Sequence, residues 1–430
     1  MLVSAGMVLL LAACGAPAPP FPSPVLATPD VVATPPVLNE PAFPTRTLPT
    51  PAVELDAAQP LTLMLWVPEE FAPGAERGGD ILEARAAAFE AAHSGVTVNY
   101  VLKAPYGKGG IVDWLMQLQE LMPERLPDAA IVDSRELDQL EKLGLLQPLN
   151  HDLPSGAFWD LFAPAQLIAR QGGVWSNQPL VLDVEHLLYD TKRVPTPPAT
   201  WQAVLADRTE FAFAADSTDT FLLHYLENGG SLSPAEHPAL DSGVMQAVLD
   251  YYQRTRANGN LNEAAAMMKS AREVFPLFLG GQAPLAQVRA RDYLSERTRM
   301  PNAAAAPIPT RDGRATTLAS GWSYVILTSN PARRRAAADY LEWLNDAEFL
   351  AQWTQAARLA PARKSAFAQA GMAPEYADAL SKLLENAIVA PSFSAQAPYA
   401  SAWHTAVQAV LNGQLSPEDA AFRALQTITQ

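Results

Sequence analysis

Cysteine is nearly missing from this 430-residue sequence; the one thiol stands at Cys14. A single cysteine excludes an intramolecular disulfide framework and any zinc site built on thiolates. Basic residues are scarce as well, 30 against 45 acids, for a net charge of -15. Nucleic-acid affinity depends on a basic surface that neutralises phosphates, so no nucleic-acid partner is expected. The six histidines are scattered, without H-E-x-x-H or a pair at metal-ligand spacing. Neither a metal nor a cofactor is expected. "YGKGG" at 106–110 lacks phosphate-loop spacing, and "SGWSYV" lacks the last glycine of a nucleophile elbow. The paired acids Asp183 and Glu185 suit glycoside hydrolysis in principle, but acids are so common here that the pairing carries little weight. The chain is long enough for two domains with sizeable cores, and its hydrophobic share of 49% is an ordinary globular value.

What is present begins at the N-terminus. Met1–Ala13 carries no charge and is too short for the ~20 residues that a hydrocarbon core requires. It fits the apolar region of a secretory signal. Leu11-Ala12-Ala13-Cys14 resembles the lipobox of bacterial lipoproteins, which implies lipidation of Cys14 and anchorage at the extracytoplasmic face of the membrane. The Lys or Arg usual ahead of such a run is missing, so a start upstream of Met1 is expected. Residues 15–60 hold about a third of the 38 prolines and read as an extended linker.

Strands and helices alternate from Leu61 onward. "LTLMLWV" is a continuous apolar run, as in a strand buried on both faces. The helix "DILEARAAAFEAAH" follows with Asp80 as its expected N-cap, then "VTVNYVL" as a strand, "IVDWLMQLQELM" as a helix and "DAAIV" as a short strand. Downstream, "FAFAAD", "PLAQVR" and "WSYVILT" read as strands, and "DSGVMQAVLDYYQRTRANG" as a helix capped by Ser242. The βαβα order predicts an α/β fold with mainly parallel sheets, and ligands in such sheets bind beyond the carboxyl ends of strands. Trp66, Trp114, Trp201, Trp343 and Trp353 fall at core spacing and are expected to pack.

Seven segments in order, among them "PDAAIVDSRELDQLEKLGLLQPL", "QPLVLDVEHLLYDTKRVPTPPATWQAVL", "LFLGGQAPLAQV" and "LAPARKSAF", resemble the extracellular solute-binding proteins of the maltose/oligosaccharide-binding type, which serve ABC importers. The resemblance runs from about Leu61 to Phe367. It implies a two-lobe periplasmic-binding (flytrap) fold, each lobe a mainly parallel sheet flanked by helices. Lobe 1 is expected at 61–177 and 316–360, and lobe 2 at 178–314 and 361–430. The function implied is non-catalytic capture of a sugar or related small solute by a monomer that hands it to an importer permease. The alternatives are a lipid-anchored carbohydrate-active enzyme and a receptor that presents ligand to a membrane sensor.

The resemblance places Glu70 and Phe71 (after the first strand), Asp133 and Ser134 (after the third), Asp183 (on the crossing segment) and Trp322 (of a Gly-Trp pair) at the ligand. Asp219 opens a helix whose dipole favours an acceptor, and an N-cap is the plainer reading. Trp175 lies at an element edge, between cleft and core. Where the family commonly presents a stacking tryptophan, this chain has Arg289-Ala290-Arg291-Asp292. Arginine stacks on flat groups and forks onto anions, so Arg289 and Arg291 are expected in the cleft and make an anionic solute plausible.

Overall fold

The computed structural model describes residues 60–233 and 239–428. Cys14, the signal run and the linker up to residue 59 lie outside the described residues. The strands are β1 (Leu61–Val67), β2 (Val96–Leu102), β3 (Ala129–Asp133), β4 (Arg170–Gln171), β5 (Val174–Trp175), β6 (Gln178–Asp190), β7 (Phe211–Ala212), β8 (Leu285–Arg289), β9 (Ala303–Ala306), β10 (Leu318–Ile326), β11 (Ala360–Pro361) and β12 (Ile388–Val389).

Apart from the small β4–β5 hairpin, these strands form one sheet in the order β2-β1-β3-β10-β6-β8-β7, with β12 beside β10 and both β9 and β11 beside β6. β1 is parallel to β2 and β3, as the βαβ connections require. β10 runs antiparallel to β3 and β6, and β6 antiparallel to β8, so the whole sheet is mixed rather than mainly parallel. β1 is paired on both sides, and its Leu63, Leu65 and Val67 are fully buried, which accounts for its unbroken apolar sequence. Asp128 fixes its edge: one oxygen accepts from Met64 N at 2.8 Å and from Arg333 Nη1 at 2.7 Å.

Local capping differs from expectation at two helices. The helix Gly79–Ala92 is entered through Gly78 at φ 74°, so Asp80 sits inside the first turn. A left-handed entry favours glycine, and no side-chain cap is used there. The helix Ser242–Ala257 is capped by Asp241, whose carboxylate accepts from Val244 N at 3.0 Å, and not by Ser242. Trp66, Trp201 and Trp353 are buried and Trp343 is half-buried, but Trp114 is 39% exposed. The Lys103 ammonium lies 5.0 Å from its ring.

Two bodies of core flank the crossing strands. One gathers side chains from 63–184 and 319–384, together with Ala290 and Leu294. The other covers both faces of the second half of the sheet, from residues 187–300 and, on one face, the C-terminal helices Phe393–Leu411 and Pro417–Ile428. The return to lobe 1 therefore extends past the expected 360: Ala362, Phe367, Tyr376, Leu380 and Leu384 all pack in the first core. Local bonding explains this. Ala360 and Pro361 pair with Leu182 and Val181 of β6. Arg363 forms a 2.8 Å ion pair with Asp160, whose side chain also accepts from Ser365 N at 3.1 Å. Only beyond β12 does the chain pass to lobe 2.

Candidate functional site

β6 and β10 lie side by side where the two cores meet, with Ser320 opposite Asp183 and Gly321 opposite Leu182. Gly321 has a steric reason: a Cβ there would stand 2.1 Å from the Val181 carbonyl oxygen. The register then shifts between Trp322 and Ser323, an irregularity of the kind that re-aims side chains. Successive side chains of a strand alternate, so Asp183 and Glu185 project from the same face of β6. That face borders a cavity of about 150 Å³.

Its walls come from both lobes. β3 and its following turn supply Asp133 and Arg135, and the loop before the helix Ile111–Leu121 supplies Tyr106. Asp219 comes from the helix Thr218–Glu227, Arg289 from the end of β8, and Arg291 from the helix Ala290–Glu296. Trp322, 6% exposed, presents its ring while packing on Phe71 at 5.3 Å and Tyr106 at 5.7 Å between centroids. Hydroxyls of Ser217, Ser270, Thr317 and Ser320 complete the polar lining.

The charges are ordered by direct pairs. Asp133, 2% exposed, accepts from Arg135 Nε at 3.1 Å, Arg135 Nη2 at 3.0 Å, the Arg135 backbone N–H at 2.8 Å and the Tyr106 hydroxyl at 2.9 Å. Arg135 lies over the Phe393 ring at 4.3 Å and donates Nη1 to Asp219 at 3.2 Å. Burial alone would lower the Arg135 pKa, but Asp133, with help from Asp219 and Tyr106, outweighs it and holds the guanidinium above its ordinary value. Arg289 grips Asp292 with two 2.9 Å bonds, and Arg291 donates to Glu70 at 2.9 Å. Burial pushes Asp183 up to about 6 against the pull of Arg289 and Arg291. Burial likewise pushes Glu185 up to about 7 although Gln287 donates to it at 2.6 Å.

Of the residues anticipated from sequence, Asp133, Asp183, Asp219, Arg289, Arg291 and Trp322 line this cavity. Glu70 stands behind it as the partner of Arg291. Phe71 is core, wedged between Trp322 and Trp353. Ser134 uses its Oγ to accept from Gly321 N at 3.0 Å and so ties β10 in place. Trp175 lies elsewhere, stacked on Phe158 at 4.5 Å with the Arg170 guanidinium 4.0 Å from its ring. Arg135 and Tyr106 were not anticipated. Arg135 is two residues past Asp133, and that proximity to a strand end was the available signal. Among the described residues, no group of His, Cys, Asp and Glu is placed to hold a metal ion.

A two-lobe mixed α/β body with a polar cavity where its crossing strands meet is the architecture of a periplasmic binding protein. Residues 84–414 match the family model described as bacterial extracellular solute-binding protein, and the chain belongs to that family. No curated protein matches the sequence. Among solved structures, the chain is similar to the cyclic alpha-maltosyl-1,6-maltose binding protein of Arthrobacter globiformis, with 19% identity over 86% of this chain and 98% of that one, at a TM-score of 0.67. It is similar to the maltodextrin binding protein of L. casei BL23, with 15% identity, 86% and 99% coverage and a TM-score of 0.69. The Thermus thermophilus maltotriose binding protein gives 16%, 85% and 99%, and 0.63. Among the described residues no helix is long and apolar enough to cross a membrane.

Proposed function

We propose that this chain captures a carbohydrate or closely related small solute outside the cytoplasm and delivers it to the permease of an ABC importer. The reading includes a lipid tether at Cys14, a proline-rich spacer over 15–60, no catalytic turnover and a monomeric receptor. The observation that carries it is the cavity bordered by the paired strands β6 and β10, lined by side chains from both lobes, with Trp322 among them as an apolar group. The ligands named for similar structures, such as maltotriose and mannotriose, support a sugar. Hinge closure about the crossing segments is the motion such a body uses.

A thermal-shift screen of purified protein against neutral, acidic and amino sugars tests the reading. A ligand at about 100 times its Kd adds about 2.7 kcal/mol of stability. Stabilisation by at least one sugar, with that sugar recovered unchanged after prolonged incubation, is expected. Hydrolysis of the sugar would favour the enzyme alternative, and indifference to every sugar would overturn the carbohydrate reading.

A further inference from the structure

The cavity's size and its balance of charge together define a narrower solute than a maltodextrin. About 150 Å³ is the space that holds a single six-membered ring, as benzene does in an engineered apolar cavity of that volume. That is room for one pyranose, and Trp322 and Tyr106 are the aromatic side chains in its lining.

The charge balance is set by how the arginines are used. Arg289 is held by Asp292, Arg291 by Glu70, and Arg135 by Asp133. Each guanidinium thus has its own carboxylate. Asp183, Glu185 and Asp219 are left over, and of these only Asp219 touches an arginine side chain, the already paired Arg135. Asp183 accepts from the backbone N–H of Val184 at 3.1 Å and of Arg291 at 3.4 Å. Glu185 accepts from the Gln287 amide. The anionic solute anticipated from Arg289 and Arg291 would enter against this surplus of negative charge.

Resting on the sugar reading above, we propose that the solute is a single-ring sugar carrying a protonated amine, its ammonium seated between Asp183 and Glu185 and its ring face on Trp322. An ammonium is a compact charge with three donors, which matches two carboxylates presented side by side on one strand face. A neutral hydroxyl donates to one of them but leaves the surplus charge unbalanced. The charged groups facing the pair are Arg289 from β8, Arg291 and Asp292 from the helix 290–296, and Asp219 from the helix 218–227. Burial raises both acids towards neutrality, so an arriving cation displaces bound protons. Affinity for the amino sugar therefore rises with pH through 6 and 7, until the amine itself loses its proton.

Titration calorimetry on the full chain tests this with D-glucosamine and D-galactosamine against D-glucose, D-galactose, N-acetylglucosamine and D-glucuronate. An amino sugar is expected to bind at least tenfold tighter than its parent hexose. Proton release at pH 6.5 should show as a difference between two buffers of unlike ionisation enthalpy. Glu185→Gln, with Asp183→Asn as a second variant and circular dichroism to confirm folding, should remove that preference, so that the amino sugar and its parent hexose bind within about threefold of each other. A hexose or glucuronate that binds as tightly as the amino sugar overturns the proposal and leaves the carbohydrate reading standing. So does amino-sugar binding without proton release. If no member of either set binds, this proposal falls, and the carbohydrate reading falls with it only if the thermal-shift screen, extended to oligosaccharides, also finds no stabilising sugar.

Discussion

Arg135 of lobe 1 places its Nη1 3.2 Å from the Asp219 carboxylate of lobe 2, so an ion pair spans the cleft before any solute is considered. Arg291 and Glu70 make a second bridge at 2.9 Å. The Asp219 side chain is 42% exposed, and a pair so open to water contributes at most about 1 kcal/mol. The double variant Asp219→Asn, Glu70→Gln should thus shift the closed-to-open ratio by about one order of magnitude and raise the ligand-free radius of gyration in small-angle scattering. About 0.5 M NaCl should mimic the effect in the wild type and add little to the variant. Identical scattering of both proteins at low salt would contradict a latch.

Removing the arginine has a different consequence. Asp133 is buried and takes three of its hydrogen bonds from Arg135. Arg135→Ala leaves that charge with the Tyr106 hydroxyl and the backbone N–H, at an expected cost of about 3–5 kcal/mol. Chemical denaturation should show this against a loss below about 1 kcal/mol for Asp219→Asn. Equal losses would mean that Arg135 and Asp219 serve only each other.

Gly321→Ala should destabilise by about 2–3 kcal/mol or more, because its methyl group would meet the Val181 carbonyl and push β10 away from β6. Ligand affinity should fall with it, since Asp183 and Trp322 sit in those two strands. Ser320→Ala, one residue earlier in the cavity lining, is the control for stability: it adds no atom to the β6–β10 contact and should leave the ligand-free melting temperature within about 2 °C. A stable, fully binding Gly321→Ala protein would show that the strands can separate at no cost.

Glu227 gives the fold a pH slope. Burial pushes this carboxyl up to about 8, against the Arg311 backbone N–H that both its oxygens accept at 3.3 Å. The folded chain keeps a proton that the unfolded chain releases above pH ~4.5, so stability falls as pH rises from there towards 8. Each pKa unit of difference is worth about 1.4 kcal/mol. Urea midpoints should be higher at pH 5.5 than at pH 8.5. Glu227→Gln should flatten that slope and stabilise the protein at pH 8.5 by about 1–2 kcal/mol. A slope unchanged by the variant would assign it to other groups, such as Glu185.

The tether is tested in a bacterial host. Full-length protein, made from the native gene with any upstream start, should partition with membranes and incorporate labelled fatty acid. Cys14→Ser should do neither, and equal labelling of the two would refute the lipoprotein reading.

Much of the framework was legible because its signals are local. The unbroken apolar run of β1 identifies an internal strand, and the acid inside apolar β6 marks Asp183 as a residue needing a special setting. What was illegible depends on partners distant in the chain. Nothing near Arg291 discloses Glu70, and nothing near Phe71 discloses that Trp322 and Trp353 enclose it. The packing of the segment 362–384 in the first core was illegible because its start is held by Asp160 and β6, whose positions only the fold reveals. At the helix 242–257, Asp241 and Ser242 are both good caps, and the choice falls to whichever residue the incoming backbone leaves extended.

The pairing of β3 with β10 also bears on how the molecule forms. Trp322 lies opposite Asp133, and the strands and helices of lobe 2 up to β9 are synthesised between them. A chain emerging from its N-terminus would expose β3 as an open strand edge until β10 arrives to cover it. Such long-range pairing slows folding and leaves edges open to association with other chains. Neither lobe of this protein is therefore complete until long after its first strands emerge, and truncations ending before Leu318 should yield aggregates rather than a free-standing domain.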